Sequence, residues 1–278
     1  MIDTGFSERT YIMGVLNITP DSFSGDGIYK KIGHALEKGE LLVKEGADII
    51  DVGGESTRPG SKAVSLEEEI ERVIPVIEGL KKKVDVPISI DTKKSEVARL
   101  ALEKGASIVN DITGLEGDSD MARIVASFGA KVVIMHIKGE PSTMQLDPMY
   151  DNLIEEIIAK LQELSDRAQA SGIKKENIII DPGIGFGKTL EHNLEILNGL
   201  SRFKVLGYPV MVGVSRKSFI GHILEKSPED RIFGTASSIA IAINNGADII
   251  RVHDVREMAE VAKVADAILK SGEKINAG

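Results

Sequence analysis

The side chains able to do chemistry in this chain stand at the downstream ends of short apolar runs. They are Asn17, Asp51 with Glu55, Asp91, Asn110 with Asp111, His136, Asp181, Ser215 with Lys217, and Arg251 with His253. Carboxylates, amides, an ammonium, a guanidinium and an imidazole brought to one place would suit a polar ring, an anion or a hard metal ion. Arg251 and His253 are two residues apart, so a strand would turn both to the same face, and a guanidinium fork beside an imidazole donor fits phosphate oxygens. The competing reading pairs Arg251 structurally with Asp254 or Asp248. Lys217, inside Gly213-Val214-Ser215-Arg216-Lys217-Ser218, is open to three roles: Schiff-base nucleophile, ligand clamp or solvated lysine. Asp, Asn and Ser in such places also cap the helices that follow, so no single one decides; the set together points to a site.

Two loops and one glycine-rich segment carry further cargo. Residues 17–24 and 53–60 each follow an apolar run and hold Thr, Ser, Asp, Arg and Phe among turn-forming Pro and Gly. Asp181-Pro182-Gly183-Ile184-Gly185-Phe186-Gly187-Lys188-Thr189 ends like a phosphate-binding loop, but Pro182 stands where that motif needs glycine, and the glycine spacing is not that of a dinucleotide fingerprint. The glycines would let backbone approach a flat ligand, with Phe186 either stacked on it or packed in the core.

These residues need elements to position them. β-branched runs at 11–16, 47–52, 86–90, 107–109, 131–135, 177–180, 208–214 and 247–252 read as eight strands. Helical spacing fills stretches between and after them, including 67–83, 95–104, 149–171 and 256–270. Gly46-Ala47-Asp48-Ile49-Ile50 recurs as Gly105-Ala106-Ser107-Ile108-Val109 and Gly246-Ala247-Asp248-Ile249-Ile250, with a weaker copy at 129–133, which suits the αβ turns of a parallel sheet. Periodicity alone does not separate a barrel from an open sheet. Eight successive units and no compositional boundary favour an α/β fold of the (β/α)8 TIM-barrel class, one domain over residues 1–278, with the polar ends at its carboxyl mouth.

Composition narrows the function classes. The 278 residues are 42% hydrophobic and 28% charged, the balance of a folded globular chain. A net charge of -9 argues against a nucleic-acid partner held by a broad basic face, so an anionic ligand must be caught locally. Residues 1–10 have no apolar signal core, and no run approaches the roughly 18 apolar residues of a membrane span; the expectation is a cytoplasmic protein without a membrane partner. Zero cysteines exclude thiolate catalysis and cysteine-ligated metal.

Taken in order, residues 13–23, 53–60, Asp91-Thr92, Asn110-Asp111, Met135-His136, 181–188, Ser215-Arg216-Lys217-Ser218 and Arg251-Val252-His253-Asp254 resemble the dihydropteroate synthases of folate biosynthesis, almost end to end. The resemblance implies a homodimeric barrel that joins two small-molecule substrates, 6-hydroxymethyl-7,8-dihydropterin pyrophosphate and p-aminobenzoate, into 7,8-dihydropteroate, releasing pyrophosphate with Mg2+ as cofactor. Carried over by position, Asp91, Asn110, Asp181, Phe186, Lys217 and Arg251 would hold the pterin. Asn17, Arg251 and His253 would take the pyrophosphate, Asn17 also serving the metal. Phe23, Thr57, Arg58, Pro59, Phe186, Lys217 and Ser218 would surround the aminobenzoate, with Asp91, Lys217, Arg251 and His253 as the catalytic set. The first loop departs from the family wording: Ser22-Phe23-Ser24 is followed by Gly25-Asp26-Gly27, where the family often places the acid directly after the serine, so a role for Asp26 does not carry over. The residues leave two other readings open, a pterin-dependent methyltransferase acting on a corrinoid protein and a folate-binding barrel without turnover. The loop at 57–59 and the Arg251–His253 pair speak against the first, and the intact leaving-group site against the second.

Overall fold

A computed structural model describes residues 9–18, 28–56, 64–139, 144 and 148–276. Phe23, Asp26, Thr57, Arg58 and Pro59 lie outside them.

Eight strands follow one another as β1 (Tyr11–Asn17), β2 (Ile49–Gly53), β3 (Ile88–Asp91), β4 (Ile108–Asp111), β5 (Lys131–Met135), β6 (Ile178–Asp181), β7 (Met211–Val212) and β8 (Ile249–Val252). Helices α1 (Ile28–Lys44), α2 (Leu66–Lys81), α3 (Ser95–Glu103), α4 (Met121–Phe128), α5 (Leu153–Ala170) and α6 (Leu190–Asn198) each return the chain to the next strand, and α9 (Val255–Asn276) follows the last. Between β7 and β8 come two helices, the short α7 (Ser218–Leu224) and α8 (Ile232–Asn244). All strand pairs are parallel, in the order β6-β5-β4-β3-β2-β1-β8-β7, and a parallel bridge from Ile180 to Val210 joins the two ends into a barrel.

Strand parity sorts the core. Ile12, Leu16, Ile50, Ile90, Val132, Ile180 and Val252 face outward into one continuous cluster shared with the helices. Met13, Ile49, Ile108, Val133, Ile179, Met211 and Ile249 face inward and form a separate plug within the barrel. Because side chains alternate along a strand, the polar inward positions beyond this plug include Asn17, Asp51, Asp91, Asn110, Asp181, Arg251 and, past the strand end, His253. The apolar plug thus floors a polar mouth, and sequence alternation alone decides which groups reach it.

Three expectations needed correction. Strand seven was expected over 208–214 but is paired in regular fashion only at Met211–Val212; Pro209 has no N–H to give, and the Val210 carbonyl is shared between the Asp248 and Ile249 amides at 2.9 and 3.2 Å. The helix expected from 149 begins at Leu153, because the Glu156 carboxylate accepts from the Asp151 and Asn152 amides at 2.7 and 2.9 Å and so caps the start. The helix expected over 67–83 ends at Lys81. No helix among the described residues is long and apolar enough to cross a membrane.

Candidate active site

A cavity of about 650 Å3 opens at the carboxyl ends of the strands. Every described residue to which the family resemblance gives a ligand role lines it. Asn17, Asp91, Asn110, Asp181, Arg251 and His253 come from strand ends, and Phe186, Lys217 and Ser218 from the segments after β6 and β7.

Arg251 occupies the centre. Its Nε donates to Asp51 Oδ2 at 2.7 Å and its Nη2 to Asp91 Oδ2 at 2.6 Å. Neither Asp254 nor Asp248 is its partner: Asp254 takes Arg216, and Asp248 takes Lys204. Burial works against the guanidinium charge, but Asp51 and Asp91 more than offset it and hold Arg251 firmly protonated. Asp51 Oδ2 also accepts from Asn110 Nδ2 at 3.1 Å. One fully buried carboxylate, on the layer beneath the cavity floor, therefore fixes both an amide and a guanidinium of the site.

Burial raises the Asp91 carboxyl above the ordinary carboxylate range; Arg251 opposes the shift, while Asp51, Glu69 and Asp111 add to it. Burial also raises Asp181, against the pull of Lys217. Asp181 Oδ1 accepts from the Gly183 amide at 2.7 Å, which orients the carboxylate. Lys217 shows the complement: burial lowers its amine to about 8, Arg251 adds to the fall and Asp181 resists it. The Lys217 Nζ lies 4.6 Å from the centre of the Phe186 ring and donates to the Ile184 carbonyl, so lysine and aromatic form one wall.

The segment presenting Lys217 is tightly held. Arg216 adopts a left-handed φ of 60°, unusual outside glycine, with its amide on Thr235 Oγ1 at 3.1 Å and its guanidinium on Asp254. Arg231 donates to the Arg216 and Lys217 carbonyls at 2.9 and 3.3 Å. Ser215 Oγ accepts from the His253 amide at 3.2 Å and lies 3.1 Å from His253 Nδ1. Phosphate sites in this fold class are often built after strands seven and eight, with a short extra helix, the setting of His253, Arg251 and α7 here.

Besides Asp51 beneath the floor, two strand-end polar residues do not join the cavity. Asp111 caps its own turn, accepting from the Thr113 amide and hydroxyl at 2.8 and 2.7 Å. His136 is buried against Lys188 at 3.0 Å. Glu55 stands at the rim, paired with Lys93 and Lys94. Sequence reasoning gave Asp51 no role, although its inward register two residues after Ile49 was legible, and set Lys188 aside with the rejected phosphate-loop motif.

The chain matches the family model described as "Pterin binding enzyme" over residues 13–253. It is 48% identical to the dihydropteroate synthase of Synechocystis sp. over 264 residues, 95% of this chain and 91% of that one. Among solved structures it is similar to the dihydropteroate synthase of Clostridium difficile, determined in the presence of pteroic acid, with a TM-score of 0.90 and 46% identity over 96% of this chain and 99% of that one. It is likewise similar to that of Xanthomonas albilineans with 4-aminobenzoic acid, with a TM-score of 0.88 and 41% identity, covering 94% of each chain.

Proposed function

The chain belongs to the dihydropteroate synthases, within the pterin-binding enzymes, and from that premise we propose how its own residues carry the condensation of dihydropterin pyrophosphate with p-aminobenzoate. The observation that carries the reading is the convergence, in one cavity, of a hydrogen-bonding edge and an anion-binding pair. Asp91, Asn110, Asp181 and Lys217 supply the acceptors and donors that a pterin edge requires. Arg251 and His253 stand together on the face above the apolar plug, where the pyrophosphate would lie.

The chemistry asked of the protein is electrostatic. The bond from the exocyclic CH2 to the pyrophosphate oxygen breaks, and its electron pair leaves with the pyrophosphate. Arg251 and the His253 imidazole stabilise the charge that grows there. The methylene becomes cationic and conjugated with the pterin. A buried Asp91 carboxylate, costly to keep charged in the resting cavity, gains most as that positive charge develops, which is the differential stabilisation catalysis needs. The arylamine nitrogen then forms the C–N bond and gives up a proton to water. Phe186 and Lys217 position the amine, with Ser218 near its carboxylate. Phe23, Thr57, Arg58 and Pro59 complete that pocket by family correspondence. No protein nucleophile is needed, so Lys217 acts as a clamp and not as a Schiff base.

The site suits Mg2+ carried chiefly by the substrate. Asn17 Oδ1 and Asp91 Oδ2 both lie 3.6 Å from where a side-chain carbon on Gly53 would stand, which puts two hard oxygen donors side by side, the ligation Mg2+ prefers alongside water and phosphate oxygens. When bound there, the ion would withdraw charge from the leaving oxygen. Asn17→Ala should raise the Mg2+ concentration for half-maximal activity severalfold while leaving pterin binding without metal unchanged.

Residues 1–278 are read as one barrel domain, since the eight strands from Tyr11 to Val252 close into one barrel. The homodimer is supported by an exposed apolar face on α8 and α9, where Phe233, Val264 and Ile268 are 78%, 60% and 65% exposed around a groove of about 800 Å3; bare patches of this kind mark interfaces. Light scattering that gives a monomer at micromolar concentration would contradict the dimer. The mechanism is tested with substrate carrying 18O in the methylene–phosphate bridge and an unreactive aminobenzoate analogue. Departure through a cationic methylene predicts scrambling of the label into non-bridging positions, lost in Arg251→Ala; an unscrambled label in the wild type would overturn it.

A further inference from the structure

Two residues that the reaction leaves unused, His136 and Lys188, are 52 apart in sequence and meet at 3.0 Å. Lys188 is 2% exposed, and among the described residues no carboxylate accepts a hydrogen bond from its amine, although Asp181 lies near enough to favour its charge. Its Nζ sits between His136 Nδ1, the Phe186 carbonyl at 2.9 Å and the His136 carbonyl at 3.5 Å. Burial lowers the amine to about 7 and the imidazole to about 3, leaving the ring neutral and able to accept. Burying an amine this way is expensive, and an apolar side chain would serve stability at least as well.

What the amine touches is the backbone of Phe186. Gly183 and Gly187, at φ 71° and 65°, press the loop onto the strand-five exit so closely that a Cβ on either would meet the His136 or Lys138 carbonyl at 1.9 or 2.2 Å. Three successive anchors then fix the loop's carbonyls: Lys217 on Ile184, Lys188 on Phe186, and Tyr150 Oη on Gly187 at 2.8 Å. Between the first and second anchors the Phe186 ring is presented to the cavity against Lys217.

We propose that Lys188 is a positioning residue for the aminobenzoate, its amine lodged between His136 and the Phe186 carbonyl and setting where the Phe186 ring stands. This rests on the reading that Phe186 lines the aminobenzoate pocket. Lys188 does not touch substrate; it acts through a side chain that does. The position trades stability for loop placement.

The test is a double-mutant cycle of Lys188→Met and Phe186→Ala in the full chain, reading KM for p-aminobenzoate, kcat and the thermal midpoint. Lys188→Met should raise that KM about tenfold with kcat within threefold of wild type. Its thermal midpoint should stay within about 3 °C or rise, and in the Phe186→Ala background it should add less than twofold. An unchanged KM, a KM effect that multiplies in full in the Phe186→Ala background, or a Lys188→Met chain that does not fold would each overturn the proposal. Phe186→Ala with an unchanged KM would instead overturn the placement of Phe186 in the pocket.

Discussion

Replacing Asp51 with asparagine isolates the hidden layer of the site. Its carboxylate is fully buried and holds Arg251 Nε at 2.7 Å and Asn110 Nδ2 at 3.1 Å through a single oxygen. Asparagine keeps the shape and one acceptor but removes the negative charge facing the guanidinium, so an ion-paired bond of about 1.5–3 kcal/mol becomes a weaker one from the still-charged Arg251 to a neutral carbonyl. The loss of roughly 1–2 kcal/mol in aligning Arg251 corresponds to a fall of about 5- to 30-fold in kcat/KM. A second effect runs the other way. Asp51 is one of the charges that push the Asp91 carboxyl upward, so its neutralisation lets Asp91 ionise more readily. Activity that depends on ionised Asp91 is lost as pH falls through its raised pKa, and Asp51→Asn should move that acid limb to lower pH. Pyrophosphate release measured from pH 5.5 to 9 reads both effects. A kcat/KM within twofold of wild type, or an acid limb displaced to higher pH, would refute the role given to Asp51.

Other perturbations follow from the same geometry. Lys217 is charged below about 8 and neutral above it, so kcat/KM should decline on the alkaline side near that pH; Lys217→Met should remove this limb and weaken pterin binding by calorimetry about tenfold or more. Ser215→Ala removes the hydroxyl that steadies His253, and a loss of roughly 1 kcal/mol should lower kcat about fivefold with the KM for aminobenzoate unchanged. Gly183→Ala places a methyl against the His136 carbonyl in left-handed backbone, which should cost more than about 2 kcal/mol and lower the thermal midpoint by several degrees; an unshifted melt would mean the loop relaxes freely.

Much of this was legible because a barrel converts alternation into geometry. Ile49, Asp51 and Gly53, or Ile249, Arg251 and His253, alternate at period two, so the inward face and the height of each residue above the plug follow from sequence. What alternation does not give is the angle around the barrel. That Arg251 reaches Asp51 and Asp91, 200 and 160 residues away, depends on strand register across closure and is invisible to local pattern. The pairing of Lys188 with His136 was hidden for a related reason: Lys188 belongs to a motif that reads as a failed phosphate loop, and only the folded β5–β6 contact supplies its partners. Strand seven was overextended because its flanking residues are as apolar as strand residues, and an apolar run does not reveal that Pro209 lacks a donor.

The most direct test of the whole account measures pyrophosphate release and dihydropteroate formation together, by purified protein with Mg2+ and dihydropterin pyrophosphate, with and without p-aminobenzoate. The two products should form in equal amounts, both requiring the amine and both strongly reduced in Arg251→Ala. Tight pterin binding without product, or product formation indifferent to Arg251, would contradict it.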